Sequence, residues 1–173
     1  VAAARRHDVG RIVHVSTPSV AHAGHSLVGV GAEPPVVGRK NAWYAESKAM
    51  AEQLVMAAVS DSLAVVAIRP HLVWGPGDTQ LVGRVVQRAR AGRLALIGGG
   101  AALVDTTYID NAASALVAAL DAATPRASCV GRAYVVANGE PRPIRDLLLG
   151  ICRAAGVAVT PRRVPLRAAL VAG

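Results

Sequence analysis

The 173-residue chain has no phenylalanine, two tryptophans and three tyrosines. Its core must therefore be built from aliphatic side chains, and the aromatic platforms on which bases stack in single-stranded nucleic-acid binders are missing. Two cysteines, Cys129 and Cys152, are too few and too far apart for a disulfide framework or a cysteine metal site. No apolar run approaches the roughly 20 uncharged residues needed to cross a bilayer, and residues 1–6 lack the apolar stretch of a secretory signal. These absences read as a cytoplasmic protein with two ordinary thiols. Lysine is confined to Lys40 and Lys48, so the net charge of +8 comes almost entirely from arginine. The arginines are scattered, with Arg5-Arg6 and Arg162-Arg163 the only adjacent pairs, which argues against a nucleic-acid partner.

What is present is a series of short apolar runs separated by helix-like segments. Residues 11–16, 63–68, 94–97, 103–109 and 133–137 read as strands. Helices are expected up to His7, from Asn41 as N-cap to about Ala58, over 81–91, from Asp110 or Asn111 to Ala122, and from Pro143 to about Ala155. Residues 21–40, rich in Gly, Pro, Ala and Val without a period, read as a long loop. The second strand should stop at Arg69-Pro70 and lead to a turn at Gly75-Pro76-Gly77-Asp78. Continuous apolar strands alternating with helices predict an α/β protein with a parallel sheet.

Chemistry is suggested first by Tyr44-Ala45-Glu46-Ser47-Lys48. Four residues apart on a helix, the phenol and the ammonium share one face. A neighbouring ammonium favours a phenolate, lowering a Tyr pKa from its usual value of about 10. Such a Tyr can exchange a proton with an alcohol or a ketone. The first strand ends in Ser16-Thr17-Pro18-Ser19, placing hydroxyls where open α/β sheets carry their sites. The second runs into Pro70, His71, Leu72 and Val73 before its Gly-Pro-Gly-Asp turn. His22 and His25 are spaced as a metal pair but have no Cys or carboxylate cluster beside them, so no metal is expected.

Together these segments resemble the extended short-chain dehydrogenase/reductase family, within the NAD-dependent epimerase/dehydratase superfamily. Gly98-Gly99-Gly100 and the stretch from Val104 to Asn111 resemble its later segments, and the closest branch is the 3β-hydroxysteroid dehydrogenase-like group. The resemblance covers roughly residues 11–165. It implies the C-terminal part of a doubly wound, Rossmann-like sheet, with residues 1–78 as the second half of the dinucleotide-binding domain. Residues 79–173 are then a small substrate-binding subdomain, with a returning strand and helix.

The same resemblance implies the roles. Tyr44 matches the general acid/base, and Lys48 the residue that holds the nicotinamide ribose and tunes Tyr44. Thr17 matches the hydroxyl that binds the reacting oxygen, with Ser16 the less favoured neighbour. Pro70, His71, Leu72 and Val73 match the loop against the nicotinamide end of NAD or NADP. The implied reaction interconverts a secondary alcohol and a ketone on a small apolar substrate, with a steroid, another fused-ring alcohol, a β-keto acid derivative and a flavonoid-like ketone all fitting. A nucleotide-sugar epimerase/dehydratase and a non-catalytic dinucleotide-binding regulator or inactive fragment are the alternatives. Val104 stands where many sugar-nucleotide enzymes place a phosphate-binding Arg, and the intact Tyr44, Lys48 and Thr17 argue for chemistry.

The Gly-rich turn that receives the pyrophosphate is not found before Arg11, so the chain reads as N-terminally truncated and inactive alone. An unpaired apolar edge is expected along its first strand. A homodimer through the Tyr44 helix is implied for the complete protein, with Met50, Leu54 and Val55 able to face either partner or core.

Overall fold

The computed structural model describes residues 1–24, 26–38 and 42–172, without the side chains of 170–172. The expected cap Asn41 and the second histidine of the His22/His25 pair lie outside the described residues. In chain order the elements are α1 (Ala2–Arg6), β1 (Arg11–Val15), a 3-10 turn (Pro18–Ala21), α2 (Trp43–Met56), β2 (Ala64–Pro70), β3 (Val73–Trp74) and α3 (Val82–Arg90). There follow β4 (Ala95–Ile97), a second 3-10 turn (Gly98–Gly100), β5 (Leu103–Val104), β6 (Thr107–Tyr108), α4 (Ile109–Ala122) and β7 (Ala133–Val136). The chain ends through β8 (Arg142–Pro143), α5 (Ile144–Ala154), β9 (Arg162–Val164) and α6 (Leu166–Ala172). Two compact units emerge: residues 1–73 with 107–138, and residues 74–106 with 139–173.

The first unit is built on a three-stranded sheet in the order β1-β2-β7. Both pairings are parallel, with Val15 opposite Ile68 and Ile68 opposite Tyr134. Central β2 is buried from Ala64 to Ile68, and its alternating side chains supply two cores. Ala64, Val66 and Ile68 face a cluster that includes Leu116, Ala119 and Ala123 of and beside α4. Val65 faces the other way, against Ala58, Leu63, Val55 and Met56 around the end of α2. Each fully buried Val is worth about 1.5–3 kcal/mol relative to exposure, which explains why this strand reads as an unbroken apolar run. Helices on both faces of a parallel sheet are the expected α/β arrangement. Among the described residues β1 and β7 each pair on one side only.

In the second unit, α3 and α5 enclose Val85, Ala89, Leu94 and Cys152, with Leu148 and Ile151 packed around them. β4 pairs in parallel with β9, and β5 antiparallel with β8. Asp78 starts α3: its carboxylate accepts from the amides of Gln80 (2.7 Å), Leu81 (3.1 Å) and Val82 (2.9 Å).

Four expectations need correction. β2 runs through Arg69 to Pro70, because Pro70 at its last position pairs opposite Val136 and the ladder continues through the next amide, His71 to the Val136 carbonyl at 2.9 Å. The single strand expected over 103–109 is broken into β5 and β6, where the Asp105 carboxylate takes the Thr106 amide at 2.8 Å. Neither Asp110 nor Asn111 caps α4. Asn138, just past β7, accepts from the Tyr108 amide at 3.1 Å and from Asn111 Nδ2 at 3.0 Å. β3, β8, β9 and α6 had no expected counterpart.

Candidate active site

In a parallel pair both strands end on the same edge of the sheet. β1 ends at Val15 opposite Ile68, two residues before β2 ends at Pro70, and the Ser16 amide donates to the Ile68 carbonyl at 2.7 Å. The chain leaves β1 at Ser16 and turns at Thr17, whose Oγ1 accepts from the Ser19 amide at 3.4 Å and lies 2.9 Å from Ser19 Oγ. Thr17 thus caps the 3-10 turn, and Val20 and Ala21 bury the turn beneath it. Ser16 is 5% exposed, its hydroxyl turned inward beside the Glu52 carboxylate without a fully formed hydrogen bond. Of the two hydroxyls, Thr17 is therefore the one at the open edge.

α2 carries Tyr44, Lys48 and Glu52 at successive four-residue steps, one helical face descending from solvent to core. Tyr44 is 64% exposed and Glu52 only 1%. Lys48 lies between them, and its Nζ donates to the Val15 carbonyl at 2.6 Å. That bond fixes the ammonium to the last residue of β1, one peptide before the Ser16-Thr17 turn. Met50 and Leu54 point outward from the helix, whereas Val55 packs into the core.

Beyond β2, His71 is tied to β7 through its amide, and the Leu72 carbonyl accepts from the Thr107 amide at 3.0 Å. Leu72 and Val73 leave their side chains exposed at this edge. The backbone of the Pro70–His71–Leu72–Val73 segment is thus held from two directions while its apolar side chains stay available.

Beneath this edge lies a buried ion pair not anticipated from the sequence. Arg69 donates from Nε to Glu52 Oε2 at 3.0 Å and from Nη2 to Glu52 Oε1 at 2.5 Å. Its Nη1 reaches the Glu33 carbonyl at 2.7 Å. Burial pushes the Glu52 carboxyl pKa up, but the Arg69 hydrogen bonds and charge, with the Ser16 hydroxyl and His14, outweigh it and hold Glu52 below its ordinary value. His14, on the same face of β1 as Ser16, has its pKa lowered by burial and then by the Lys48 charge, with Glu52 opposing. The available signals were the third member of the Tyr44–Lys48–Glu52 series and a charged Arg ending a wholly apolar strand.

The structure thus brings Thr17, Lys48 and the Pro70–Val73 backbone to one edge of one sheet, with Tyr44 one turn above Lys48. The groups gathered at this edge are a hydroxyl, an ammonium fixed to the Val15 carbonyl and, four residues before it on the same helix, an exposed phenol. His22 is turned to local use, its Nδ1 accepting from the Gly24 amide at 3.3 Å. Among the described residues no group of three or more His, Cys, Asp or Glu is placed to hold a metal ion. Among them, too, no helix is long and apolar enough to cross a membrane.

Comparison with known proteins identifies the family and the fold. The model of the 3-beta hydroxysteroid dehydrogenase/isomerase family matches residues 1–166. The 2-alkyl-3-oxoalkanoate reductase of Stenotrophomonas maltophilia (strain K279a) is 50% identical over 171 residues, covering 98% of this chain and 52% of that protein. A protein of the same name from Shewanella oneidensis is 40% identical over 181 residues, covering 100% of this chain and 47% of its own length. The chain spans about half the length of the curated relatives it matches. In fold it is similar to the dTDP-glucose 4,6-dehydratase of Bacillus anthracis solved in complex with NAD, with a TM-score of 0.73 at 21% identity over 95% of this chain and 52% of that one.

Proposed function

Because this chain belongs to the 3-beta hydroxysteroid dehydrogenase/isomerase family, we propose that it carries the proton-transfer machinery of an NAD(P)-dependent oxidoreductase interconverting a ketone and a secondary alcohol. The observation that carries the reading is the Lys48 ammonium, bonded to the Val15 carbonyl one turn below Tyr44 and beside the Thr17 turn. The substrate class favoured is a 3-oxoalkanoic acid with an alkyl branch, since two reductases bearing that name match nearly the whole chain. A steroid-like alcohol is the second candidate, on the family itself.

The residues present fit the nicotinamide–ribose end of the cofactor. An ammonium fixed by one hydrogen bond retains further donors for ribose hydroxyls. The exposed apolar side chains of Leu72 and Val73, on a backbone held from both sides, suit a flat ring. Pro70 and His71 complete that segment. The bound cofactor supplies or accepts the hydride. Thr17 holds the substrate oxygen, Tyr44 gives it a proton on reduction or takes one on oxidation, and Lys48 stabilises the phenolate that reduction leaves. No pyrophosphate-binding turn of glycines between a strand and a helix occurs among the described residues. Met50 and Leu54, 58% and 64% exposed on α2, are the proposed apolar contacts of a homodimer.

The test is reduced-cofactor oxidation by the complete protein with a 2-alkyl-3-oxoalkanoic acid, for wild type and Tyr44→Phe. The expected loss in kcat/KM is about 10²–10⁴-fold, the usual worth of a positioned acid or base. A Tyr44→Phe enzyme within a few-fold of wild type would remove Tyr44 from the reaction.

A further inference from the structure

We propose that Arg69 is a positioning residue that seats residues 26–38 against the Tyr44–Lys48 helix, and so sets one wall of the substrate site. The idea rests on the oxidoreductase reading only for what the wall does, not for how it is held.

Arg69 is 1% exposed at the end of β2. Its two bonds to Glu52 grip α2, and the third, from Nη1, crosses to the backbone carbonyl of Glu33. A buried ion pair on its own is weak evidence for stability, because apolar residues of similar volume often serve as well. The third bond is what the pair adds. Glu33 lies in a stretch of no regular structure, and Pro34 and Pro35 after it have no amide to offer a sheet.

Apolar burial along this stretch is partial: Val28, Val30 and Val37 are exposed, while Leu27, Pro35 and Val36 are half-buried. Three further polar bonds hold it among the described residues. The Val36 amide donates to the Val20 carbonyl at 2.8 Å, Gln53 Nε2 reaches the Pro35 carbonyl at 3.5 Å, and the Gly38 amide donates to Glu46 Oε1 at 2.7 Å. Glu46, Gln53 and, through Arg69, Glu52 all belong to α2. The Val20 contact belongs to the turn capped by Thr17. The stretch is therefore strapped between the helix bearing Tyr44 and the turn bearing the hydroxyl, and the Arg69 fork is the charged anchor among these bonds, reaching it from the buried end of β2. A planar guanidinium can hold a carboxylate with one edge and a carbonyl with the remaining nitrogen; a lysine ammonium can satisfy the charge but not span both in fixed geometry.

The experiment is amide hydrogen exchange read by mass spectrometry on the complete protein, without substrate, followed by steady-state kinetics. Two variants are used. Arg69→Lys keeps the charge opposite Glu52 but loses the fork. The double variant Glu52→Leu with Arg69→Met replaces the pair by apolar volume, and keeps the test open if Arg69→Lys fails to fold. The expected result is exchange in 26–38 accelerated by about tenfold or more, the loss of one charge-assisted hydrogen bond, with β2 amides as protected as in wild type. KM for the ketone should rise about fivefold or more with kcat changed less than about twofold, the signature of lost binding rather than lost chemistry. Unchanged exchange in 26–38 in a folded variant overturns the proposal. So does accelerated exchange with KM unmoved, which would leave Arg69 a structural residue only. If the wild-type protein reduces no ketone, the oxidoreductase reading fails, and the strap is then judged by exchange alone.

Discussion

Alanine at Gly100 should be far more damaging than alanine at its neighbour Gly99, and the difference can be worked from the geometry. Both glycines have positive φ, +69° at Gly100 and +72° at Gly99. Placing a Cβ in that region costs about 1–2 kcal/mol at either position. At Gly99 nothing else lies within 4 Å of the new atom. At Gly100 the new atom would sit 2.7 Å from Arg145 Cβ, 3.1 Å from its amide nitrogen and 3.2 Å from its Cα. These atoms belong to the first turn of α5, so relief requires moving the helix rather than turning a flexible side chain. Overpacking of that kind adds about 1–3 kcal/mol. The expected losses are therefore about 1–2 kcal/mol for Gly99→Ala and about 2–5 kcal/mol for Gly100→Ala. Equilibrium urea unfolding of the complete protein reads this directly. With a slope of about 2 kcal/mol/M, the two midpoints should differ by about 0.5–1.5 M. Equal midpoints would mean that α5 does not press on this turn, and the packing of the second unit would need to be redrawn.

Three further outcomes follow from the polar contacts. Glu52 and His14 both have folded-state pKa values below their ordinary ones, so the unfolded chain binds protons first and stability must fall as pH falls. The His14 contribution is present above about pH 6.5 and is lost below it, and that of Glu52 is present above about 4.5 and lost below that. Thermal unfolding midpoints from pH 7.5 to 4 should decline in both windows, and His14→Asn should flatten the upper one; a midpoint that rises on acidification contradicts both assignments. Asp78→Ala removes the acceptor for the first amides of α3, which should cost about 1 kcal/mol; a urea midpoint equal to wild type would show that water replaces the cap without loss. Asn138→Ala takes away the acceptor shared by the Tyr108 amide and Asn111 and should cost about 1–2 kcal/mol. Asn138→Asp, which keeps an acceptor, should recover most of it, and failure to recover would point to the side-chain amide itself.

Much of the fold was legible because burial on both faces of a parallel strand leaves a mark that needs no partner to read. β2 is apolar from Ala64 to Ile68 for that reason; β1 and β7, half-buried at the sides of the sheet, were legible from their short runs rich in β-branched residues. The Tyr44–Lys48 pair was legible because helical spacing alone puts the two on one face. The Glu52–Arg69 pair was not. Its partners are 17 residues apart on different elements, and only the docking of α2 on β2 decides that the two charges meet in the core. The split of residues 103–109 was hidden for a related reason: apolar composition marks β potential, while the Asp105 side chain competing for a backbone amide breaks the strand. The Asn138 cap on α4 comes from a residue 30 positions from the amide it serves, Tyr108, so no local capping pattern could reveal it. β9 depends on pairing with β4, and its arginines carry none of the apolar signal of a strand.

By itself, then, the sequence determined the elements whose physics is local: buried strands, a helix with a phenol and an ammonium on one face, turns of Gly, Pro and Asp. It also determined the chemistry available, since a hydroxyl, a phenol and an ammonium are there whatever the chain does. The tertiary structure decided which of Ser16 and Thr17 faces the open edge, because the twofold alternation along a strand turns one inward to Glu52 as the chain leaves β1. It also decided where the Lys48 ammonium is anchored and that a buried guanidinium ties the 26–38 stretch to α2. Each of those outcomes depends on register and docking between segments far apart in the chain, which no run of neighbouring residues encodes.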